Sequence, residues 1–312
     1  ERMLCGGADA ESVTLVGTAA FVVSAAEDSI VVKAADPSDV AQGDVVVTSD
    51  TGAVVTLTGG FTYKTASVVD SVEPAEGQVG TAVIIKGSVL RGGADSVEKV
   101  TLAGVEADID TESNTVVKVV AAQADAVADG DVVVTASSGA VATLAASFSY
   151  ATEGEVTDVS PSSGQTGTVV VISGSALRGS GSNVTQVFLG DAEATIDEES
   201  DDEVTVAASA GPDEATTVDV KLVADSGAIV TASDAFKYLL PGEIKLVNPA
   251  EGQDQTEITI TGERLCGGGD KVVEVTLAGL AANIVNPNCN LIQISANDLG
   301  AKVVGAVTIV SN

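Results

Sequence analysis

Histidine and tryptophan are missing from this 312-residue sequence, and aromatic side chains make up only 3% of it. Without histidine there is no serine–histidine triad, no cysteine–histidine catalysis and no zinc site with an imidazole ligand. The many acidic side chains have no aromatic platform for a sugar beside them, which argues against a glycosidase with paired carboxylates. We therefore predict that the chain is not an enzyme and that its core consists mainly of Val, Ile, Leu and Ala.

Basic side chains are also scarce, because 14 Lys and Arg stand against 45 Asp and Glu and give a formal net charge of −31. Such a surface repels phosphate backbones and anionic membranes. No apolar run approaches the ~18 residues of a membrane-spanning helix. We expect no nucleic-acid partner and no membrane insertion. Cations are the expected counter-species, Ca²⁺ among them, with no other cofactor.

Short Val-rich runs bounded by Gly, Asp and Ser fill the sequence, and no long segment has the period of an amphipathic helix. β-Branched residues favour strands, so the predicted fold class is all-β. In the 66–152 region we predict seven strands: Val68–Val72, Ala82–Lys86, Val97–Leu102, Glu106–Ile109, Thr115–Val120, Asp131–Thr135 and Ala140–Tyr150.

A pattern with a period of about 87 residues runs through the whole chain. A Leu before a small-residue loop recurs at positions 4, 90, 177 and 265, so the spacings are 86, 87 and 88. A Pro-x-x-Gly turn begins at positions 74, 161 and 249, and a closing Phe-x-Tyr contains every tyrosine of the chain: Tyr63, Tyr150 and Tyr238. This period suits an immunoglobulin-type sandwich. The Phe-x-Tyr pairs are predicted to pack in the core and at domain junctions, where a tyrosine hydroxyl can cap a backbone group.

The ordered set of motifs resembles the IPT/TIG domain, the immunoglobulin-like module of plexins, some cell-surface receptors, Rel-type transcription factors and many secreted microbial proteins. The clearest match is Gly-Thr-Val-Val-Val-Ile-Ser-Gly at 167–174, preceded by Val-Ser-Pro-Ser-Ser-Gly at 159–164. The resemblance implies tandem immunoglobulin-like β-sandwiches in an extended array. The charge argues against the DNA-binding role of the Rel-type members.

The predicted domains are a partial repeat lacking its first strands at 1–65, complete repeats at 66–152 and 153–240, and a repeat lacking its last strand at 241–312. Incomplete sandwiches leave unpaired edges, which folded proteins avoid. Either the chain is a segment of a longer array, or neighbouring chains supply the missing strands by β-augmentation. Both alternatives imply that the array continues end to end.

Three cysteines occur in the chain. Cys266 and Cys289 lie in one repeat, in the loop after the second strand and in a later turn, and we predict an intradomain disulfide between them, with two buried thiols as the alternative. Cys5 has no second cysteine in its repeat; it is free, bonded to an absent segment or bonded to another subunit. In the two middle repeats, Arg91 and Arg178 occupy the position that Cys266 occupies in the fourth repeat, directly after the recurring Leu.

Two surface features suggest modification or ion binding. Asn183 begins the only Asn-x-Thr/Ser sequon and is a candidate glycosylation site, with an ordinary turn residue as the alternative. The densest acidic run contains Asp197, Asp201 and Asp202, which are weak candidates for Ca²⁺ ligands because EF-hand spacing is absent. A solvated acidic turn is the competing interpretation.

These observations favour an extracellular or cell-surface structural protein, a rod or filament component built from repeats that associate end to end. The first alternative is a cell-adhesion or glycan- or protein-binding ectodomain, in which loop tips such as Arg178–Asn183 contact the ligand. The second is a set of spacer domains in a large secreted enzyme. The expected partners are further copies of like repeats and, in the first alternative, glycans.

Overall fold

A computed structural model describes residues 9–26, 28–36, 40–126, 128–212, 214–297 and 303–311. Within these ranges the secondary structure consists of strands, and no helix is present, so the all-β prediction is confirmed. The chain divides into two compact units: one has its limits at 1–73, 83–119 and 130–147, and the other at 74–82, 120–129 and 148–312. Cys5 lies outside the described residues.

The first repeat forms a five-stranded sheet in the order β3-β2-β1-β4-β5. Its strand β1 pairs antiparallel with a strand on each side. The small core on this sheet contains Val13, Leu15, Val47 and Tyr63. The strands are β1 (Ala10–Leu15), β2 (Thr18–Ala25), β3 (Ile30–Lys33), β4 (Gln42–Ser49) and β5 (Val54–Thr62).

The second repeat has eight strands in the order β6-β8-β11-β10-β9-β12-β13-β7. All seven predicted strands overlap observed ones, and the prediction missed only the two-residue β7, which pairs in parallel with the end of β13. The strands are β6 (Val68–Glu73), β7 (Glu76–Gly77), β8 (Ala82–Ser88), β9 (Val97–Leu102), β10 (Val105–Glu112), β11 (Val116–Val120), β12 (Asp129–Ala136) and β13 (Val141–Tyr150).

The third repeat has the corresponding order, β14-β16-β19-β18-β17-β20-β21-β15. Its fifth strand, β18, joins the two layers, because its first half pairs with β17 and its second half pairs with β19 from Thr195 onward, with a bulge between Ile196 and Glu198. The strands are β14 (Glu155–Ser160), β15 (Ser163–Gly164), β16 (Val169–Ser175), β17 (Val184–Leu189), β18 (Ala192–Glu199), β19 (Glu203–Ala207), β20 (Thr216–Ala224) and β21 (Ile229–Tyr238).

The fourth repeat has two separate sheets, in the orders β22-β23-β27-β26 and β25-β24-β28. Ile260, Val275 and Ile292 form the centre of its core, with the side chains of both sheets facing inward. The strands are β22 (Glu243–Asn248), β23 (Glu257–Glu263), β24 (Val272–Leu277), β25 (Leu280–Ala281), β26 (Asn283–Pro287), β27 (Leu291–Ser295) and β28 (Val307–Ser311).

Each Phe-x-Tyr pair occupies the same place at the end of a closing strand. The rings of Phe236 and Tyr238 meet edge to face with their centroids 5.2 Å apart, and both side chains are buried. The two earlier pairs have the same geometry. The three tyrosine hydroxyls have no hydrogen-bond partner among the described residues, so the expected backbone cap is not formed there. Burial raises the pKa of Tyr150 and Tyr238.

Candidate functional site

In each of the two middle repeats, an arginine holds the loop that follows β8 or β16 in place. Arg91 Nε and Nη2 donate to the carboxylate of Glu112 over 2.8 and 3.0 Å. Arg178 Nε and Nη2 donate to the carboxylate of Glu199 in the same way, over 2.9 and 2.8 Å. Two-pronged arginine–carboxylate pairs combine two charge-assisted bonds with a fixed geometry. The guanidinium hydrogen bond therefore holds the pKa of each glutamate below its ordinary value, and a backbone N–H contributes in both repeats.

The fourth repeat fastens the same loop with a disulfide. Cys266 and Cys289 are bonded, with their Cα atoms 5.0 Å apart. The backbone connection between loop and turn is shared, because Leu265 N–H donates to the Cys289 carbonyl over 2.9 Å as Leu177 N–H donates to the Asp201 carbonyl over 2.9 Å. The position that carries arginine in the middle repeats thus carries a covalent link here.

A buried glutamine joins the turn of the second repeat to the third repeat. Gln78 is only 1% exposed, and its Oε1 accepts the N–H of Gly154 over 2.9 Å. Its Nε2 donates to the Ile229 carbonyl over 2.9 Å. Two backbone bonds lie beside it, from Ile229 N–H to the Val79 carbonyl and from Ala82 N–H to the Ser226 carbonyl. These four hydrogen bonds, all within the second unit, help to hold the turn to the next repeat.

The third and fourth repeats meet through the equivalent glutamine. Gln165 Oε1 accepts the N–H of Gly242 over 3.0 Å. Gly154 and Gly242 each follow the closing tyrosine by four residues, so the acceptor and the donor recur together. The next glutamine of the series, Gln253, is exposed.

Glycines make this close approach feasible. A Cβ on Gly242 would lie 2.6 Å from the Arg264 carbonyl oxygen, and one on Gly154 would lie 2.3 Å from the Ala176 carbonyl oxygen. A Cβ on Gly267, whose φ is +53°, would lie 2.3 Å from the Gln165 side chain. Each of these distances is too short for a real Cβ atom. Only glycine, which has no Cβ, therefore allows the backbone to approach this closely.

The loop predicted to contact a ligand is largely engaged within the protein. Arg178 binds Glu199, Gly179 packs against Gln78, and Ser180 Oγ lies 3.3 Å from Glu76 Oε1. Asn183, at the end of this loop, is exposed, and its carbonyl accepts the Asp225 N–H over 2.9 Å. Asn183 is therefore accessible, and its glycosylation stays a prediction.

The acidic run of the third repeat is exposed at Asp197, Asp201 and Asp202. Asp201 Oδ1 accepts the N–H of Arg178 over 3.0 Å, so it serves the loop fastening described above. Across the described ranges no group of three or more Cys, Asp or Glu side chains is placed to hold a metal ion. Calcium binding at this run stays a prediction.

Sequence reasoning missed the junction glutamines and the partners of the two arginines. Gln78, Gln165 and Gln253 each follow the glycine of the Pro-x-x-Gly turn, and Glu112 and Glu199 are 87 residues apart. Both signals were visible in the repeat alignment. Their role was not, because only the folded turn brings a glutamine to the N–H of the following repeat.

Comparison with known families gives two matches. The model of the IPT/TIG domain matches residues 67–150 and 155–238, which together make up more than half of the chain. The resemblance inferred from the motifs is confirmed. The matched ranges fall inside the two repeats predicted as complete, while the predicted domain boundaries themselves stay predictions. No curated protein matches the chain.

Several solved structures resemble the chain. The plexin A4 extracellular region is 21% identical over 76% of this chain, with a TM-score of 0.40, and the chain spans only 21% of its length. A Bacteroides ovatus mixed-linkage glucan protein, SGBP-B, is 11% identical over 92% of this chain and 80% of its own, with a TM-score of 0.25. The titin I9–I11 tandem is 10% identical over 79% of this chain and 96% of its own, with a TM-score of 0.26. Within the described ranges, no helix is suited to crossing a membrane.

Proposed function

The chain belongs to the IPT/TIG domain family, and we propose that it is an extracellular spacer. In this proposal, immunoglobulin-like repeats follow one another end to end as an extended rod in a fibre or an ectodomain. Its task is mechanical. The repeats set a distance and present an acidic surface, and they carry out no reaction. The net charge of −31 gives this surface its affinity for cations over anionic partners.

The recurring junction is the observation that carries this proposal. Gln78 and Gln165 use the same atom, Oε1, to accept the N–H of a glycine that opens the next repeat. A flexible linker requires no such bond, and a spacer requires a reproducible one, because each junction that bends freely shortens the average span. Recurrence of one bonding pattern at two successive junctions supports a spacer in which each turn is bonded to the glycine that opens the next repeat.

Ligand binding is the second function considered from the sequence, and the loop chosen for it does not favour it. Arg178 and Gly179 are engaged in contacts within the protein, which leaves little of the loop tip for a glycan or protein partner. A glycan array probed with the whole chain separates the two functions. The spacer proposal predicts no saturable glycan signal.

Small-angle X-ray scattering and electron microscopy test the spacer directly. We expect a maximum dimension of roughly 100 Å or more for the 312-residue chain. This estimate follows from the rise per residue of a β-strand, with the repeats placed end to end. The double variant Gln78→Ala/Gln165→Ala should give a broader range of dimensions, whereas Gln253→Ala, at an exposed glutamine of the same series, should leave the scattering unchanged. A compact particle, or identical scattering from all three proteins, contradicts the proposal.

A further inference from the structure

The loop that carries Cys266 lies against both partners of the hydrogen bond between Gln165 and Gly242. A Cβ on Gly267, the residue after Cys266, would lie 2.3 Å from Gln165 Nε2. A Cβ on Gly242 would lie 2.6 Å from the Arg264 carbonyl oxygen. The acceptor and the donor of this junction bond are therefore both packed against backbone that is within two residues of Cys266.

Two further contacts join this loop to the segment that enters the fourth repeat. Arg264 Nε donates to the Pro241 carbonyl over 3.1 Å. A Cβ on Gly268 would lie 2.5 Å from Leu239 Cδ1, so the loop backbone also packs against this side chain. A displacement of the loop would disturb these contacts together with the junction bond, because one short stretch of backbone makes them all.

In the third repeat the corresponding loop is held by charged groups. The Arg178 side chain donates to the Glu199 carboxylate, and its backbone N–H donates to Asp201 Oδ1 over 3.0 Å. The next residue, Gly179, lies against the other junction glutamine, because a Cβ there would be 3.1 Å from the side-chain amide of Gln78. In both repeats, the loop that is fastened is thus the loop that contacts the junction glutamine.

In the fourth repeat these positions carry no charge. Cys266 follows the recurring Leu in the place of the arginine. Cys289 takes the place of the aspartate, because its carbonyl accepts the N–H of Leu265 as the aspartate carbonyl accepts that of Leu177. Pro287 takes the place of the glutamate in the strand register. The disulfide therefore stands where the third repeat has its ion pair, and a thiol reagent that leaves ion pairs intact opens it.

We propose that the Cys266–Cys289 bond is a redox-sensitive control of the junction between the third and fourth repeats. The oxidised bridge holds the loop against Gln165 and Gly242, and reduction by a dithiol loosens the loop and releases the hydrogen bond between them. The inference rests on the spacer function proposed above, because a released junction converts a stiff connection into one that bends.

Reduction is a two-electron step that the dithiol supplies. Cys266 is 3% exposed and Cys289 is half-buried, so a thiolate of the reductant attacks Cys289 Sγ. The sulfur–sulfur bond breaks, and Cys266 Sγ leaves with the electron pair and takes up a proton. The second thiol of the reductant then displaces Cys289, which is protonated in turn, and the reductant becomes a cyclic disulfide. The bridge gains two electrons and two protons, and the dithiol loses them.

Hydrogen exchange of the Gly242 N–H, followed by NMR, measures the state of the junction bond. The isotopically labelled whole chain carries Cys5→Ser, which leaves only the two bridged cysteines. The dithiol should accelerate exchange at Gly242 about tenfold, the effect of losing one hydrogen bond. Exchange at Gly154, whose bond to Gln78 lies beside the arginine-held loop, should change by less than about twofold.

Unfolding of the whole fourth repeat is distinguished from a local release by Ile260, which is buried in β23. After correction for intrinsic exchange rates, Gly242 should exchange faster than Ile260 in the reduced chain, because the junction opens while the core stays folded. Equal corrected rates at the two positions would mean that the junction opens only when the repeat unfolds.

Transplanting the ion pair of the third repeat provides the rescue. Cys266→Arg/Pro287→Glu/Cys289→Asp gives the loop the charged groups that hold its counterpart. Exchange at Gly242 in this variant should match that of the oxidised parent and should not respond to the dithiol. In Cys266→Ala/Cys289→Ala, exchange at Gly242 should equal that of the reduced parent with and without the dithiol.

The proposal is overturned if the dithiol leaves exchange at Gly242 unchanged, if it accelerates Gly154 equally, or if Gly242 exchanges only at the rate of Ile260. These outcomes are decided on the parent chain, so they hold even where the triple variant fails to fold. Failure of the spacer function has a different signature, which is a compact particle in scattering while Gly242 still responds to the dithiol.

Discussion

Gly154 donates its N–H to the side chain of Gln78 over 2.9 Å, although the two residues belong to consecutive repeats. The glutamine is buried, and its amide nitrogen is bonded as well. A side chain that satisfies two backbone groups of the next repeat links the stability of that repeat to the turn that precedes it.

Loss of the Gln78 side chain should therefore lower the free energy of unfolding markedly. Gln78→Ala leaves the Gly154 N–H and the Ile229 carbonyl without their partner, and we expect a loss of about 2–4 kcal/mol in the free energy of unfolding. The measurement is urea unfolding of the whole chain, followed through the transition of the third repeat. Gln253→Ala is the matched control and should change stability by less than about 0.5 kcal/mol. A change for Gln78→Ala as small as the one expected for Gln253→Ala would show that the junction bonds contribute nothing.

Glu199 gives the stability of the third repeat a dependence on pH. Its pKa is lowered by Arg178, so it contributes stability that is present above the ordinary glutamate pKa of about 4.3 and is lost as the pH falls through the lower folded value. Glu199→Gln should consequently destabilise the protein most at pH 7, and the difference from the parent should shrink below about pH 4.

The control for this titration is Glu198→Gln, which alters an exposed neighbour on the same strand. Urea unfolding at several pH values between about 3 and 7 supplies the data. A difference between the parent and Glu199→Gln that stays constant across this range would contradict the assignment of the ion pair.

Reduction of the Cys266–Cys289 bond should weaken the fourth repeat selectively. The bond spans a sequence separation of 23 residues, and releasing it should lower the free energy of unfolding by about 3 kcal/mol. Thermal unfolding with and without a reductant measures the effect. In the Cys266→Ala/Cys289→Ala variant the reductant should have no effect. A shift of equal size in that variant would mean that the reductant acts elsewhere.

Asn183 is exposed at the end of its loop and should accept a glycan when the chain passes through a glycosylating secretory pathway. Intact mass spectrometry should show a gain in mass that Asn183→Gln removes and that Thr185→Ser, which preserves the sequon, retains. If the protein gains no mass, or if the gain survives Asn183→Gln, the site is not used.

Much of the fold was predictable because local chemistry dictates it. The 87-residue period and the alternating apolar residues placed all seven predicted strands of the second repeat, since burial of one face fixes the register of a strand. The two-residue β7 was missed, because a strand of two residues has no period of its own.

The contacts that act between distant residues were less accessible from the sequence. The recurrence of Arg91 and Arg178 at one position of the repeat was recognised, but their carboxylate partners lie 21 residues away, at the ends of β10 and β18. Acidic residues are so numerous in this chain that spacing alone does not single out Glu112 or Glu199. The junction glutamines were not predicted for a related reason. Their side chains bond to backbone groups, which every residue has, so the residue types of the partners give no signal in the sequence.

A distance measurement between the third and fourth repeats tests the central claim most directly. Spin labels at Glu198→Cys and Val285→Cys, both exposed, in a Cys5→Ser background leave the two remaining cysteines in their disulfide. Double electron–electron resonance between the two spin labels should give one narrow distance distribution. This distribution should broaden in the Gln165→Ala variant and stay narrow in the Gln253→Ala variant. A distribution that is already broad in the parent protein and indifferent to Gln165 would contradict a junction held by this glutamine.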